Sequence, residues 1–137
     1  MFETSIKTAL AGSASLSALV STRIRPLHVA QKEARPYVAY VVNDREDPSP
    51  THDGPSIFTR ITYDVACVAD TYEQCAQMSD LVRARLGALD GYVSGGVRVI
   101  WTRFQDETDI EQGMVPGAEK PLYMRSQTYR AMYRATE

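Results

Sequence analysis

The chain has 137 residues, of which 44% are hydrophobic and 23% charged, and its formal net charge is -2. This composition is typical of one globular domain, here residues 1–137, that buries its core without metals or disulfides. The small net charge gives no support for general affinity for nucleic acid or anionic membranes, and no apolar run approaches the ~20 residues that a membrane-spanning helix needs.

The first third of the chain predicts a helix, two extended segments and a loop. Residues 2–20 place apolar side chains at steps of three and four, which predicts one helix. Residues 22–29 contain a proline and predict an edge strand or a connector. Residues 37–43 are rich in β-branched and aromatic residues on both faces, which predicts a central strand or one covered by a neighbouring subunit. Residues 44–55 contain three prolines and predict an irregular loop.

Residues 56–89 predict a long strand followed by a helix. The strand alternates, so one face should be core and carry Ile57, Ile61, Tyr63, Val65, Cys67 and Ala69. Thr71 and Gln74 fit a capping box at the start of the helix. The helix stripe consists of Cys75, Met78, Val82, Leu86 and Leu89. Both cysteines lie on these core faces, and we interpret them as buried thiols and not as a disulfide.

The last third predicts two strands separated by a second irregular segment. Residues 97–104 alternate, with Val97, Val99 and Trp101 on one face. Residues 105–120 are acidic at first and then contain glycine and proline, which predicts a loop. Residues 122–134 predict a closing strand. Long strands with such connections pair antiparallel, so we expect an α+β domain: a mainly antiparallel sheet with two helices packed on one face.

Candidate catalytic and metal-binding motifs do not have the required spacing. His28 and His52 do not form a metal pair. Ser49, His52 and Asp53 are neighbours in a predicted loop and lack the rigid positioning of a catalytic triad. The acidic cluster Asp106, Glu107, Asp109 and Glu111 does not match an EF-hand loop. Gly95-Gly96 is not followed by a phosphate-binding helix. We therefore expect no enzymatic activity, no catalytic residues, no metal and no cofactor.

The sheet face without helices carries apolar residues among its charges, namely Phe58, Val68, Ile100, Phe104 and Met132. Such a face predicts a subunit interface. In this interpretation the loop at residues 44–55 and the acidic segment of one subunit meet arginines such as Arg125 or Arg130 of the next. The candidate interface residues are Phe58, Arg60, Asp106, Glu107, Asp109, Glu111, Arg125 and Arg130.

Three stretches carry a resemblance to a known family. They are RPYVAY at residues 35–40, DVACVADTYEQCA at residues 64–76 and the closing YRAMYR. In this order they resemble the tail-completion, or tail-terminator, proteins of long-tailed phages and gene transfer agents. The chain departs from that pattern at Gln127 and Ala131, where larger apolar residues are usual, and at Met132, where an aromatic residue is common.

The resemblance implies an α+β subunit of a ring, usually of six copies, and no enzymatic step or cofactor. Such a ring caps the tail tube at the head-tail junction of the virion, ends tube polymerisation and joins the tail to the head connector. The implied partners are other copies of the chain, the major tail tube protein and the connector or head-closure protein. DNA would only pass through the lumen, and assembly would occur in the host cytoplasm.

Two alternatives stay open from the residues. One is a head-closure or neck protein of the same particle, which would have a different neighbour. The other is a small α+β enzyme or ligand-binding domain with a pocket under the loop at residues 44–55. The sequence pattern does not separate the first alternative from a tail terminator.

Overall fold

The computed structural model describes residues 2–26, 36–46, 58–94, 96–114 and 121–135. The helices are α1 (Phe2–Ala11), α2 (Ala14–Val20) and α3 (Tyr72–Leu86), and the strands are β1 (Ile24–Pro26), β2 (Tyr37–Glu46), β3 (Phe58–Ala69), β4 (Val93–Ser94), β5 (Val97–Met114) and β6 (Pro121–Ala135). None of the described helices combines the length and apolar character needed to cross a bilayer.

The strands form one six-stranded sheet in the order β1-β2-β3-β6-β5-β4. All neighbouring strands pair antiparallel except β1 and β2, which are parallel. The fold is therefore α+β, as predicted. β1 lies at the edge of the sheet and has one neighbouring strand among those described. Pro26, which has no backbone N–H to donate, is tolerated in such an edge position.

The first helical segment is two helices and not one, so the prediction of a single helix over residues 2–20 was wrong. The helix is interrupted after Gly12, because Ser13 adopts an extended conformation (φ -82°, ψ 110°). Its side chain accepts a hydrogen bond from the backbone N–H of Leu16, which caps the new helix. The described chain consequently has three helices where two were expected.

All three helices pack on one face of the sheet and share a core with it. The predicted faces of β3 and α3 are confirmed for the described residues, because the alternate residues of β3 from Ile61 onward and the stripe of α3 are buried together. Ile57 lies outside the described residues. Leu89 is buried as predicted but follows the end of α3. Phe2 of α1 contacts Tyr63 edge-on, with ring centroids 5.3 Å apart. Tyr63 stacks in turn on Tyr129 of β6 at 5.4 Å. Thr71 caps α3 by accepting a hydrogen bond from Gln74 N, as predicted.

Parts of both predicted loops are strand, so these two predictions were wrong there. Residues 105–114 belong to β5 and pair with β6, so this part of the predicted loop 105–120 is strand. Its carboxylates are compatible with a strand because they lie opposite polar or cationic residues, as Asp109 does opposite Arg125. Residues 44–46 likewise extend β2, where Glu46 pairs with Arg60. Residues 47–55 and 115–120 lie outside the described residues.

Two β-bulges in the first half of β5 change which side chains face the helices. The register shifts between Val99 and Trp101 and again between Phe104 and Asp106. A one-residue shift moves the following side chains to the other face of a sheet. Trp101 therefore leaves the face of Val99, and Phe104 packs against the helix-side core. Both placements differ from the sequence prediction.

The face of the sheet without helices has an apolar corner of its own. Tyr37, Ala39, Ala66 and Val68 form a small buried cluster with Met124 packed against it. Val68 is fully buried, so it is not part of an exposed apolar face as expected. β2 lies between β1 and β3 and its first four residues are buried, which agrees with the predicted central strand.

Candidate interaction surfaces

The strand register divides the predicted interface residues between the two faces of the sheet. Residues directly opposite each other on paired strands point to the same side. Arg125 lies opposite Cys67 of the core face, so it points toward the helix side. Phe58 and Arg60 alternate with the core residues and point to the other side, which we call the outer face. Arg130, opposite Thr62, is also on the outer face.

Register places Asp106 on the outer face and Glu107 and Asp109 on the helix side. The side chain of Glu111 lies outside the described residues. The eight residues thus do not form one patch, and whether any of them contacts a neighbouring subunit stays a prediction.

Arg125 is held by partners of its own chain. Its Nε lies 2.5 Å from Asp109 Oδ1 and 3.7 Å from Glu107 Oε1, and its Nη2 donates to the hydroxyl of Tyr72 at 2.9 Å. Only 13% of the Arg125 side chain is exposed, whereas 51% of the Asp109 side chain is. The hydrogen bond from Arg125 lowers the pKa of Asp109, and the same contact raises the pKa of Arg125. This cluster links the β5–β6 hairpin to the start of α3.

A buried polar network continues from this cluster into the core. Gln127 is 1% exposed, and its Nε2 donates to Ser79 O at 3.0 Å and to Glu107 Oε1 at 3.1 Å. Its Oε1 accepts from the hydroxyl of Tyr129 at 2.5 Å. Burial raises the pKa of Tyr129, so the hydroxyl stays a donor at neutral pH. Gln127 departs from the family pattern as a polar residue, yet both its Oε1 and its Nε2 have hydrogen-bond partners.

The two cysteines are free and buried, as predicted. The thiol of Cys75 donates to the carbonyl of Cys67 at 3.2 Å. Burial raises the pKa of Cys67 to about 12. Because the thiolate is the reactive form, Cys67 is not poised for nucleophilic chemistry at neutral pH.

The outer face brings five arginines together in three rows across β3, β6 and β5. The rows are Phe58-Arg134-Arg98, Arg60-Met132-Trp101 and Thr62-Arg130-Arg103. Arg60 pairs with Glu46 and Arg103 with Asp90, at 3.1 Å and 3.0 Å. The other three arginines form no ion pair with a described residue. We call this set of nine residues the arginine face.

Only part of the arginine face is predicted from the sequence. Phe58, Arg60 and Arg130 were predicted as interface residues, but Arg98, Arg103 and Arg134 were not. Arg98 and Arg134 are 36 positions apart and become direct neighbours only through the pairing of β5 with β6. The bulge after Val99 is also needed, since without it Trp101 and Arg103 would point to the helix side.

A shallow crevice between α1, β2 and β3 is open to solvent and has no room for a water molecule inside it. Its lining is almost entirely apolar, with Glu3 as its charged member. The buried polar partners that fix a small ligand in a pocket are absent from the described lining of this crevice. No group of three potential metal ligands occurs within the described ranges. His28, Ser49, His52, Asp53 and Gly95 lie outside the described residues.

Comparison with known proteins gives one family and a shared fold. The family model of the tail completion protein gp17 matches residues 4–134. A chain of the solved "Virion of native gene transfer agent (GTA) particle" has a TM-score of 0.69 at 17% identity, over 95% of this chain and 92% of that chain. A second solved structure has a TM-score of 0.50 at 17% identity, over 94% of both chains. No curated protein sequence matches.

Proposed function

Because this chain belongs to the tail completion protein gp17 family, we propose that it caps the tail tube of a phage or phage-like particle as a ring of subunits. The chain is a structural protein of a phage-type tail. In the finer role proposed here, the ring ends polymerisation of the tube and joins the tail to the head connector. The family match over residues 4–134, which reaches into every described helix and strand, is the observation that carries the proposal.

The shape and surface of the subunit support a role in assembly. Its conspicuous polar features, the Arg125 cluster and the arginine face, lie on the two faces of the sheet. The crevice beside α1, by contrast, is small and apolar. The similar fold of a chain from a gene transfer agent virion is consistent with a place in such a particle. We infer that the subunit works by contacts with other proteins and has no catalytic step.

The proposed contacts follow from the position of a tail cap. The ring, of six copies by family resemblance, would sit at the head-tail junction and contact the major tail tube protein on one side. On the other side it would meet the connector or head-closure protein. It would assemble in the host cytoplasm, and DNA would meet it only when passing through the lumen.

Deletion of the gene in a particle-producing strain tests this function. We expect electron micrographs to show tails of uncontrolled length that are not joined to heads, and expression of the intact chain from a plasmid should restore joined tails of uniform length. Tails of normal length beside heads that have lost their DNA would contradict the proposal and indicate a head-closure role instead.

A further inference from the structure

The charges of the β5–β6 hairpin are separated along its length. The end formed by residues 97–104 and 129–135 carries four arginines, Arg98, Arg103, Arg130 and Arg134, and no carboxylate. The end formed by residues 105–114 and 121–128 carries four carboxylates, with Arg125 as its one cation. With a rise of about 3.4 Å per residue, the centres of these two ends lie roughly 25 Å apart. At physiological salt, where screening acts over about 8 Å, the carboxylates beyond Asp106 do not neutralise the basic end.

The basic end carries an unfavourable electrostatic energy in the isolated subunit. Arg98 lies directly opposite Arg134, and Arg103 lies directly opposite Arg130. Like charges in such cross-strand pairs destabilise a sheet. Asp90 compensates Arg103, but Arg98, Arg130 and Arg134 form no ion pair with a described carboxylate. The Nε of Arg134 is in addition buried without a hydrogen-bond partner among the described residues, so the side chains of the subunit itself leave this cation only partly satisfied.

The composition of the arginine face is that of a protein interface. Met132 and Trp101 are half-buried at its centre, with arginines in the rows on both sides. Aromatic residues, methionine and arginine are the residue types enriched in protein–protein contacts. The carboxylates of Asp64 and Asp106 form the next row and limit the face to about 14 Å along the strands. With the net charge of -2, these carboxylates disfavour a nucleic-acid backbone as the occupant.

The acidic end of the same hairpin is accessible and complementary. Asp106, Glu107 and Asp109 are exposed, and beyond Arg103 the outer edge of β5 pairs with no described strand. Glu107 and Asp109 point to the helix side, whereas Asp106 and the arginines point to the outer face. Complementary patches at opposite ends of one subunit fit a head-to-tail contact, the kind that closes a ring.

We propose that the arginine face binds the acidic end of the β5–β6 hairpin of a second copy of this chain. This inference rests on the ring of the proposed function and names its contact. It also revises the expectation that Arg125 reaches across to a neighbour, because Arg125 is engaged by Asp109 of its own chain.

Charge reversal tests the contact in the purified full-length chain. In Arg98→Glu/Arg130→Glu, each new carboxylate faces an arginine of the partner strand, so the monomer should melt at a higher temperature than the wild type. The concentration needed for assembly, measured by sedimentation velocity, should nevertheless rise at least about tenfold. Lys7→Glu, an exposed reversal on α1, should leave assembly unchanged. Wild-type assembly should weaken as salt rises from about 0.05 to 0.5 M.

A complementary variant makes the test specific. Asp106→Arg/Glu107→Gln alters the acidic end, and the glutamine can still accept the hydrogen bond from Gln127. Each variant alone should stay unassembled, and an equal mixture should assemble with the two chains alternating, as native mass spectrometry would show.

Three results would overturn the inference: a wild type that is monomeric at every concentration, an Arg98→Glu/Arg130→Glu variant that assembles normally, or duplex DNA binding that this variant loses. Normal tail length after gene deletion would instead refute the proposed function, whatever the purified chain does.

Discussion

The pair Gln127 and Tyr129 offers a quantitative test of the buried network. Their side chains are joined by a 2.5 Å hydrogen bond, and both residues are buried beneath α3. Gln127→Leu keeps a side chain of similar volume but removes the acceptor of the Tyr129 hydroxyl. Tyr129→Phe keeps the ring, including its stacking on Tyr63, and removes the donor. The double variant removes both polar partners together.

The expected magnitudes follow from burial. A buried hydrogen-bonding group that loses its partner lowers the free energy of unfolding by about 1–3 kcal/mol, so each single variant should fall in this range. When both partners are apolar no such group is left between them, and the double variant should be more stable than additivity predicts by about 1–2 kcal/mol. For a chain of this size 1 kcal/mol corresponds to about 3–4 °C in Tm.

Urea unfolding followed by circular dichroism measures all four free energies. Tyr133→Phe is the matched control, because Tyr133 lies on the same face of β6 and its hydroxyl makes no hydrogen bond to a described residue. This control should change the free energy of unfolding by less than about 0.5 kcal/mol. Additive losses in the double variant would refute the reasoning, since they would mean that the two groups are stabilised independently.

Three further predictions concern a pKa, a turn and a helix cap. Arg125 lowers the pKa of Asp109 below its ordinary 3.8. The charged pair therefore stabilises the fold above pH 3.8, and this contribution disappears as the pH falls through the lowered pKa. The stability difference between wild type and Asp109→Asn should be largest at neutral pH and vanish in acid, and a pH-independent difference would contradict this. Gly91 has φ +83° and open space around its Cβ position, so Gly91→Ala should lower the free energy of unfolding by about 1 kcal/mol through backbone strain alone, and a neutral result in urea unfolding would show that the turn relaxes. Thr71→Ala removes the hydrogen bond from Gln74 N and should cost about 1 kcal/mol in the same assay, whereas Thr71→Ser should be nearly neutral; equal losses in both variants would exclude capping as the cause.

Patterns within one element were sufficient to predict much of the subunit core. The alternation in β3 placed Tyr63, Val65 and Cys67 on the buried side, and steps of three and four gave the stripe of α3. These periods follow from the geometry of a single strand or helix, so they need no knowledge of the neighbours. The order of the same elements was also enough for the family resemblance, which the family match confirms.

Local patterns failed where a strand depends on its partner. The acidic residues 105–109 suggested a loop, yet they lie in β5 because β6 supplies both the backbone ladder and the counter-charge of Arg125. The break at Ser13 was missed for a different reason. Apolar periodicity continues across it, and the cap that separates α1 from α2 is a single hydrogen bond to Leu16.

The candidate interface was decided by tertiary structure almost entirely. Arg125 and Arg130 were equivalent candidates by residue type, but register places them on opposite faces. Arg125 forms an ion pair with Asp109, whereas Arg130 forms none with a described residue. Arg98 and Arg134 become neighbours only because a ladder joins residues 36 positions apart, and the bulge after Val99 sets which later side chains accompany them. A side chain's face follows from its own strand, whereas the charge it meets depends on hydrogen bonds between strands that are distant in sequence.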